Sequence, residues 1–268
     1  MVAKYRFSIS PTKGFPLDPD TIAMRRAQMG RGAIPLMRGG PQPIIDEGAG
    51  YWMMLSGSPS ADLNVALVTS AEPTTLVGVL EQVIASGFPT LFMVGGDCRS
   101  TEIPGSWQHV GDMPFMSLDL DSADIYTDSR VRQATEDDVD DVCSVMGEAF
   151  GLSTALLHDP IAHALSDITG PMKIWLLVQD NIAVSCVVTS PIGDAVTVWC
   201  MSTPERFARR GYGRAILADV MQRSRADGAT LGLLGATPPG EPLYESTGWI
   251  TLEHWRIFAN VESTQFER

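Results

Sequence analysis

The sequence predicts a mixed α/β fold (α+β), with a mostly antiparallel twisted sheet flanked by helices, and three observations carry that prediction. Short apolar runs separated by turn residues recur through the chain, as in KIWLLVQ, IAVSCVVTS and AVTVWCMST. Between such runs lie longer stretches with helical spacing, such as TTLVGVLEQVIASG and residues 211–226. A polar, turn-rich stretch, LDSADIYTDS (120–129), then divides the 268 residues into two modest halves. The domains expected are therefore 1–125 and 126–268.

In the first half, residues 1–50 are rich in Gly, Pro and Arg and predict irregular structure with one short helix near TIAMRRAQM. YWMMLSG (51–57) and LNVALVT (63–69) read as strands. TTLVGVLEQVIASG (74–87) reads as a helix, with Thr74 or Thr75 as N-cap and Gly87 as its stop. TLFMVGG (90–96) and MPFMSLDL (113–120) are further strands.

In the second half, RVRQA (130–134) is a strand. Thr135 caps TEDDVDDVCSVMGEAFG, whose early acids suit the helix dipole. KIWLLVQ (173–179) and IAVSCVVTS (182–190) form a hairpin across Asp180–Asn181. Pro191–Asp194 turns into AVTVWCMST (195–203). Residues 211–226 are helical, ATLGLLGAT (229–237) is a strand, PLYESTG (242–248) is a short helix, and WITLEHWRIFA (249–259) returns as a strand or hairpin.

Composition limits the function. The net charge of −13 argues against nucleic acid and favours a cationic ligand such as an amine. No apolar run reaches the length of a membrane span, and MVAKYRFSISPTKG has no signal-peptide core, so no membrane partner and a cytoplasmic location are expected. Cys98, Cys143, Cys186 and Cys200 lie far apart without metal-ligand spacing and read as buried thiols, so no metal is expected. The acids Glu136 to Asp141 read as a solvated helix start rather than a metal site.

ARRGYGRAIL (208–217) stands between a hairpin strand and a helix. A helix start offers unpaired N–H groups and a positive dipole end, which together hold phosphate. Gly211 and Gly213 would let the backbone close on a pyrophosphate, and Arg209, Arg210 and Arg214 would add charge. A Rossmann fingerprint would need a third glycine in a parallel unit, and a Walker A motif would need Gly-Lys-Ser/Thr.

MSTPERFARRGYGRAIL resembles the acyl-CoA pyrophosphate motif of the GNAT superfamily of N-acyltransferases, written Gln/Arg-x-x-Gly-x-Gly/Ala. LGATPPGEPLYESTGW resembles that family's next motif, a strand followed by a helix with Leu-Tyr-Glu and then Gly-aromatic. The order of elements over residues 130–260 matches as well. The first motif position falls on Ala208, where Gln or Arg is usual, so one contact is lost or passes to Arg209.

The resemblance implies acetyl-CoA as co-substrate and an N-acetyltransferase acting by direct transfer in a ternary complex. It implies that the backbone of Cys200, Met201 and Thr203 runs along the pantetheine arm, near Thr237. It further implies that the N–H groups of Arg209, Arg210, Gly211, Tyr212, Gly213, Arg214 and Ala215 hold the pyrophosphate. Tyr244 matches the tyrosine that protonates the departing thiolate. The strand acid common in the family is absent, because Val198, Trp199 and Cys200 stand there. Glu148 in GEAF, at the end of the first helix, becomes the candidate base, with His158 and Asp159 in the variable loop that follows as weaker candidates. Cys200 has no partner placed to activate it and reads as a packed thiol.

Residues 51–120 echo the later element order, which suggests a smaller, degenerate GNAT-like copy. Its SAEPTT connection carries an acid and a proline where phosphate needs amides and positive charge. The acceptor expected is a small primary amine, with antibiotic, amino acid, polyamine and protein amine all open. A homodimer is one option for the assembly. The alternatives are a GNAT-like acyl-CoA or metabolite sensor without transfer, and a structural role in which the first half docks a partner.

Overall fold

The structure, a computed structural model, describes residues 18–260. Readings of the N-terminal stretch before Asp18 lie outside them. The first half runs α1 (Pro19–Arg38), β1 (Ile44–Gly48), β2 (Tyr51–Leu55), β3 (Asn64–Val68), α2 (Pro73–Ser86), β4 (Leu91–Val94) and β5 (Gln108–Asp119). The second half opens with β6 (Val131–Gln133), α3 (Val139–Phe150), α4 (Thr154–Ser166), β7 (Lys173–Gln179) and β8 (Ile182–Ile192). It continues with β9 (Ala195–Ser202), α5 (Tyr212–Ala226), β10 (Leu231–Gly235), α6 (Glu241–Glu245) and β11 (Ile250–Ala259).

All eleven strands join one sheet in the order β1-β2-β3-β4-β11-β5-β10-β9-β8-β7-β6. Its pairs are antiparallel except β3 with β4 and β9 with β10, the two places where a helix crosses over. The last strands of the halves are exchanged. β5 lies between β11 and β10, and β11 lies between β4 and β5. The link between β5 and β6 contains position 125/126, and the strands on either side of it interleave.

Alternation along the strands sorts the core onto two faces. Val196 and Val198 of β9 meet Ile216, Leu217 and Val220 of α5. The opposite face meets α3 and α4 through Cys186 and Val188, and meets α1 through Ala195 and Leu233. On the first half, Ala66 and Val68 face α2, while Val65 and Leu67 face α1. The sheet thus curls around α1, which touches both halves.

Two glycines let α1 sit there. A Cβ on Gly30 would lie 2.6 Å from the Trp52 ring, and one on Gly32 would lie 2.8 Å from Thr197 Cβ. No side chain fits at either position without displacing its neighbour. Asp18 caps the helix by accepting from Thr21 N at 2.9 Å, and Pro19 stands at its first position. Arg26 forms a two-pronged pair with Glu253 of β11 (2.6 and 2.5 Å), and Arg25 pairs with Asp194 at the β8–β9 turn.

Several expectations change. The helix expected near TIAMRRAQM extends to Arg38, because contacts with both sheet halves override its glycines and Pro35. Helix α4 replaces the loop read around His158 and Asp159. It carries Pro160 inside, but Leu157, Ile161, Ala164 and Leu165 form one buried stripe. Helix α2 starts at Pro73 with Glu72 as its N-cap. Strand β8 continues to Ile192, which moves the turn to Gly193–Asp194, and residues 250–259 form one strand.

Candidate functional site

The site begins where two parallel strands part. Strands β9 and β10 pair only from Ala195↔Leu231 to Thr197↔Leu233. Beyond Thr197, β9 stays joined to β8 as far as Ser202, while β10 stays joined to β5 as far as Gly235. Their inner edges separate into a V-shaped cleft with backbone groups along both arms. In the first half, β3 and β4 remain paired from Val65↔Leu91 to Val68↔Val94, with Glu72 at the start of α2. That crossover has neither a cleft nor a cationic loop.

A β-bulge shapes the β9 arm. Cys186 pairs with Ser202 and Val188 with Trp199, so Cys200 and Met201 together face the single residue between them. Cys200 takes φ +49, unusual for a side-chain-bearing residue. The bulge breaks the alternation. Trp199 and Cys200 both pack on the α3–α4 face, and Met201 packs on the α5 face. Ser202 Oγ donates to Cys200 O (2.8 Å), and Ser185 Oγ donates to Ser202 O (2.7 Å), fixing the bulged backbone. Burial first, and then the charge of Asp62, push the Cys200 thiol up to about 12, so it stays protonated at neutral pH.

The phosphate-type loop stands at the mouth of the V. A 3-10 turn (Glu205–Phe207) closes with Ala208 N donating to Glu205 O at 2.9 Å. Arg209 then adopts φ +62 and Gly211 φ +82, and α5 starts at Tyr212. A left-handed residue followed by a right-handed one turns successive N–H groups toward one point, forming an anion-binding nest. No side chain caps α5, and among the described residues the N–H groups of Tyr212, Gly213 and Arg214 have no hydrogen-bond acceptor. Gly211 has open space where a Cβ would project, so its role is conformational. At Gly213 a Cβ would stand 3.3 Å from both Met201 Cε and Leu243 Cδ2, which draws the helix start against the β9 arm and against α6.

The arginines divide in use. Arg209 and Arg210 are exposed. Arg214 reaches across to α6, donating to Ser246 Oγ at 2.7 Å. Arg206, outside the sequence-derived set, stacks over Phe207 at 4.5 Å and pairs with Glu148 at 2.9 Å. Glu148 thus lies at the loop preceding the phosphate turn, with one oxygen committed to a guanidinium. No sequence signal links these two residues. His158 and Asp159 contact one another on the exposed face of α4.

Tyr244 of α6 is 7% exposed, and its Oη donates to Met201 Sδ at 3.4 Å across the cleft. A thioether is a weak acceptor, so the hydroxyl is aimed into the V with little to hold its proton. Its ring packs edge-on to Trp249 at 5.8 Å. Burial raises its pKa well above the ordinary phenol value. Thr237 is exposed beyond β10, and its carbonyl accepts from Gly240 and Glu241 at the start of α6. The structure therefore gathers Cys200, Met201, Thr203, Gly213 and Tyr244 at the cleft, with Arg209 to Tyr212 at its mouth and Glu148 beyond the loop.

A cavity of about 670 Å³ runs along another flank of α5, away from the Tyr244 hydroxyl. Leu118, Leu217, Ala218, Met221 and Trp249 line it, and Arg214 stands beside it. The β5–β6 link from Ser122 to Tyr126 and the segment after α6 from Ser246 to Ile250 close its sides.

The chain has the fold of the GCN5-related N-acetyltransferases, the GNAT fold. It is similar to the GCN5-related N-acetyltransferase from Kribbella flavida, with TM-score 0.58 and 15% identity over 90% of this chain and 95% of that one. It is also similar to the GCN5-related N-acetyltransferase from Sphaerobacter thermophilus, with TM-score 0.54 and 12% identity over 79% and 76% of the two chains. A functionally unknown conserved protein from Staphylococcus epidermidis gives TM-score 0.55 at 10% identity over 81% and 93%. No protein-family model matches the sequence, and no curated protein matches it.

Proposed function

We propose that this chain transfers an acetyl group from acetyl-CoA to a primary amine of a small molecule. The observation that carries the reading is the parting of β9 and β10 beyond Thr197 and Leu233, with an uncapped helix start and a left-handed Gly211 at its mouth. The inner edge of β9 from Cys200 to Thr203 takes the pantetheine amides as a further strand would. The N–H groups of Gly211 to Arg214 take the pyrophosphate, helped by Arg209 and Arg210. Arg214 stands beside the cavity along α5, which gives the nucleotide end a place.

The thioester supplies the activated acyl group. The bulged backbone at Cys200–Met201 offers N–H groups to the carbonyl oxygen as charge develops there. The amine nitrogen bonds to the carbonyl carbon, the carbon–sulfur bond breaks, and Tyr244 Oη gives its proton to the departing sulfur. The nitrogen's proton leaves to water, and Tyr244 is reprotonated in turn. Glu148, tied to Arg206, braces the phosphate loop against α3. In this reading the first half is a second copy of the fold without its own acyl-CoA site, since β2–β3–α2–β4 repeats the order β8–β9–α5–β10 and keeps its strands closed.

Ala208 favours a second reading, acyl-CoA binding without turnover. Calorimetric titration with acetyl-CoA, followed by thiol release with added amines, separates the two. Gly211→Val forces a β-branched residue into a left-handed conformation and is expected to weaken acetyl-CoA at least about tenfold, a loss of roughly 1.4 kcal/mol. Unchanged affinity would remove the loop from the site.

A further inference from the structure

One more arginine stands at the phosphate loop, just ahead of the stretch ARRGYG. Arg206 belongs to the 3-10 turn Glu205–Phe207, two residues before Ala208. Phe207 N donates to Pro204 O (2.8 Å) and Ala208 N donates to Glu205 O (2.9 Å), so the backbone that carries Arg206 is fixed. Phe207 packs against the core between α5 and the sheet. Two guanidiniums share its ring: Arg206 Cζ lies 4.5 Å from the ring centroid, and Arg210 Cζ lies 6.0 Å from it. Arg206 is thereby joined to the cations of the loop through a common aromatic support.

Glu148 stands against the same guanidinium, 2.9 Å from Nε. An acid in the last turn of α3 opposes the helix dipole, and Arg206 compensates it. Elsewhere guanidiniums are used up in two-pronged pairs, Arg26 on Glu253 and Arg132 on Asp138. Arg206 differs. Glu148 approaches it at Nε, and neither Nη group donates to an acceptor among the described residues. Arg209 and Arg210 donate to none there either. Three guanidiniums with open donors thus fall within residues 206–210, in a chain whose net charge is −13. Like charges gathered this way repel one another, and beside the left-handed turn at Arg209 and Gly211 they are set for an anion.

We propose that Arg206 is a further phosphate ligand of this loop, its two Nη groups forking onto a pyrophosphate from the side of α3, with Glu148 as the positioning residue that holds the fork through Nε. The inference rests on the acyl-CoA reading for the ligand that brings the pyrophosphate. Ala208 offers only a methyl group where the loop begins, and Arg206 supplies the side-chain contact at that end. A guanidinium fork matches two phosphate oxygens, and stacking on Phe207 fixes its plane. A lysine at this position would keep the charge and lose the fork.

The test is calorimetry on the full chain with CoA, 3′-dephospho-CoA, pantetheine and inorganic pyrophosphate. Arg206→Ala is expected to weaken CoA, 3′-dephospho-CoA and pyrophosphate at least about fivefold each, the scale of one partly exposed ion pair, and to leave pantetheine unchanged. Arg206→Lys should recover part of the loss. Glu148→Gln should weaken CoA by itself and change nothing once Arg206 is Ala, because a positioning residue acts only through the group it positions. Both side chains are partly exposed, so the thermal midpoint of each variant checks that the fold is kept. Unchanged affinities in Arg206→Ala overturn the inference, and so does a loss confined to CoA, which would put Arg206 on the 3′-phosphate. A Glu148→Gln effect that survives Arg206→Ala overturns the positioning role. A wild-type chain that binds pyrophosphate through Arg206 but does not bind CoA sinks the acyl-CoA reading and leaves this inference standing, and a chain that binds neither refutes both.

Discussion

Replacing Tyr244 with Phe separates chemistry from folding, because the structure assigns the hydroxyl little structural work. Its one partner is Met201 Sδ at 3.4 Å, a weak acceptor, and the packing of its ring against Trp249 survives the change. Removing a hydroxyl with so poor a partner should alter stability by less than about 1 kcal/mol. For a chain of this size, that moves the melting midpoint by roughly 2–4 °C at most. A general acid is worth about 10²- to 10⁴-fold in kcat, so kcat should fall by at least about a hundredfold. KM for acetyl-CoA should move little, since the phosphates are held elsewhere.

The pH dependence has a definite sign. Burial disfavours the phenolate and raises the Tyr244 pKa, so the group remains a proton donor from pH 6 to its ordinary titration range and beyond. It therefore adds no falling limb to kcat below about pH 10. In the proposed reaction the sulfur leaves beside the buried Tyr244, where burial disfavours its anion as well. Donor and acceptor shift in the same direction, and proton transfer between them stays feasible. The assay is initial-rate thiol release at saturating amine, repeated with an acyl aryl thioester whose thiolate leaves without a proton. The Phe variant should be slow with acetyl-CoA and nearly normal with the aryl thioester. A kcat within about threefold of wild type, or an equal loss with both donors, would refute the acid role.

Three further outcomes follow from the packing. Ala218→Trp should fill part of the cavity along α5 and weaken acetyl-CoA while sparing acetyl-pantetheine, which lacks the nucleotide; parallel loss of both ligands in calorimetry would place the nucleotide elsewhere. Glu253→Ala strands the Arg26 guanidinium and the Trp255 indole N–H, both of which Glu253 accepts from in a pair whose side chains are 16% and 13% exposed. Urea unfolding should show a loss of about 3 kcal/mol, and a loss under about 1 kcal/mol would mean that water replaces the carboxylate freely. Hydrogen bonds from Arg25 and then Gln28 hold Asp194 at about 2, below its ordinary 3.8, so its contribution is full above pH 4 and fades as pH falls toward 2. Half-exposed as it is, Asp194 contributes at most about 1 kcal/mol. The melting difference between wild type and Asp194→Asn should shrink from pH 5 to pH 2, and a constant difference would exclude the ion pair as its source.

The phosphate-type loop was legible because its information is local. ARRGYG places its left-handed glycine, uncapped helix start and flanking cations within one short stretch, and the Asp180–Asn181 turn shows both positive φ values that its hairpin requires. The bulge at Cys200 was not legible, because nothing in VTVWCMST marks which residue is the extra one against β8. Glu148 read as a candidate base, and its pairing with Arg206 was not legible, because Arg206 comes from a distant loop. The exchange of β5 and β11 is likewise non-local: MPFMSLDL and WITLEHWRIFA read as strands, but a short apolar run does not name its neighbours.

Helix α1 shows the same limit acting in reverse. Gly30, Gly32 and Pro35 argue against a long helix, since each interior glycine costs about 1 kcal/mol relative to alanine. Yet Gly30 and Gly32 are the positions at which Trp52 on one half of the sheet and Thr197 on the other come too close for a Cβ. The residues that weaken the helix in isolation are the ones that seat it between the halves. Thr197 is also the last residue of β9 paired with β10 before the strands separate. The contact at Gly32 therefore braces the apex of the cleft from the α1 side, and the first half, through α1, helps to fix where the V opens.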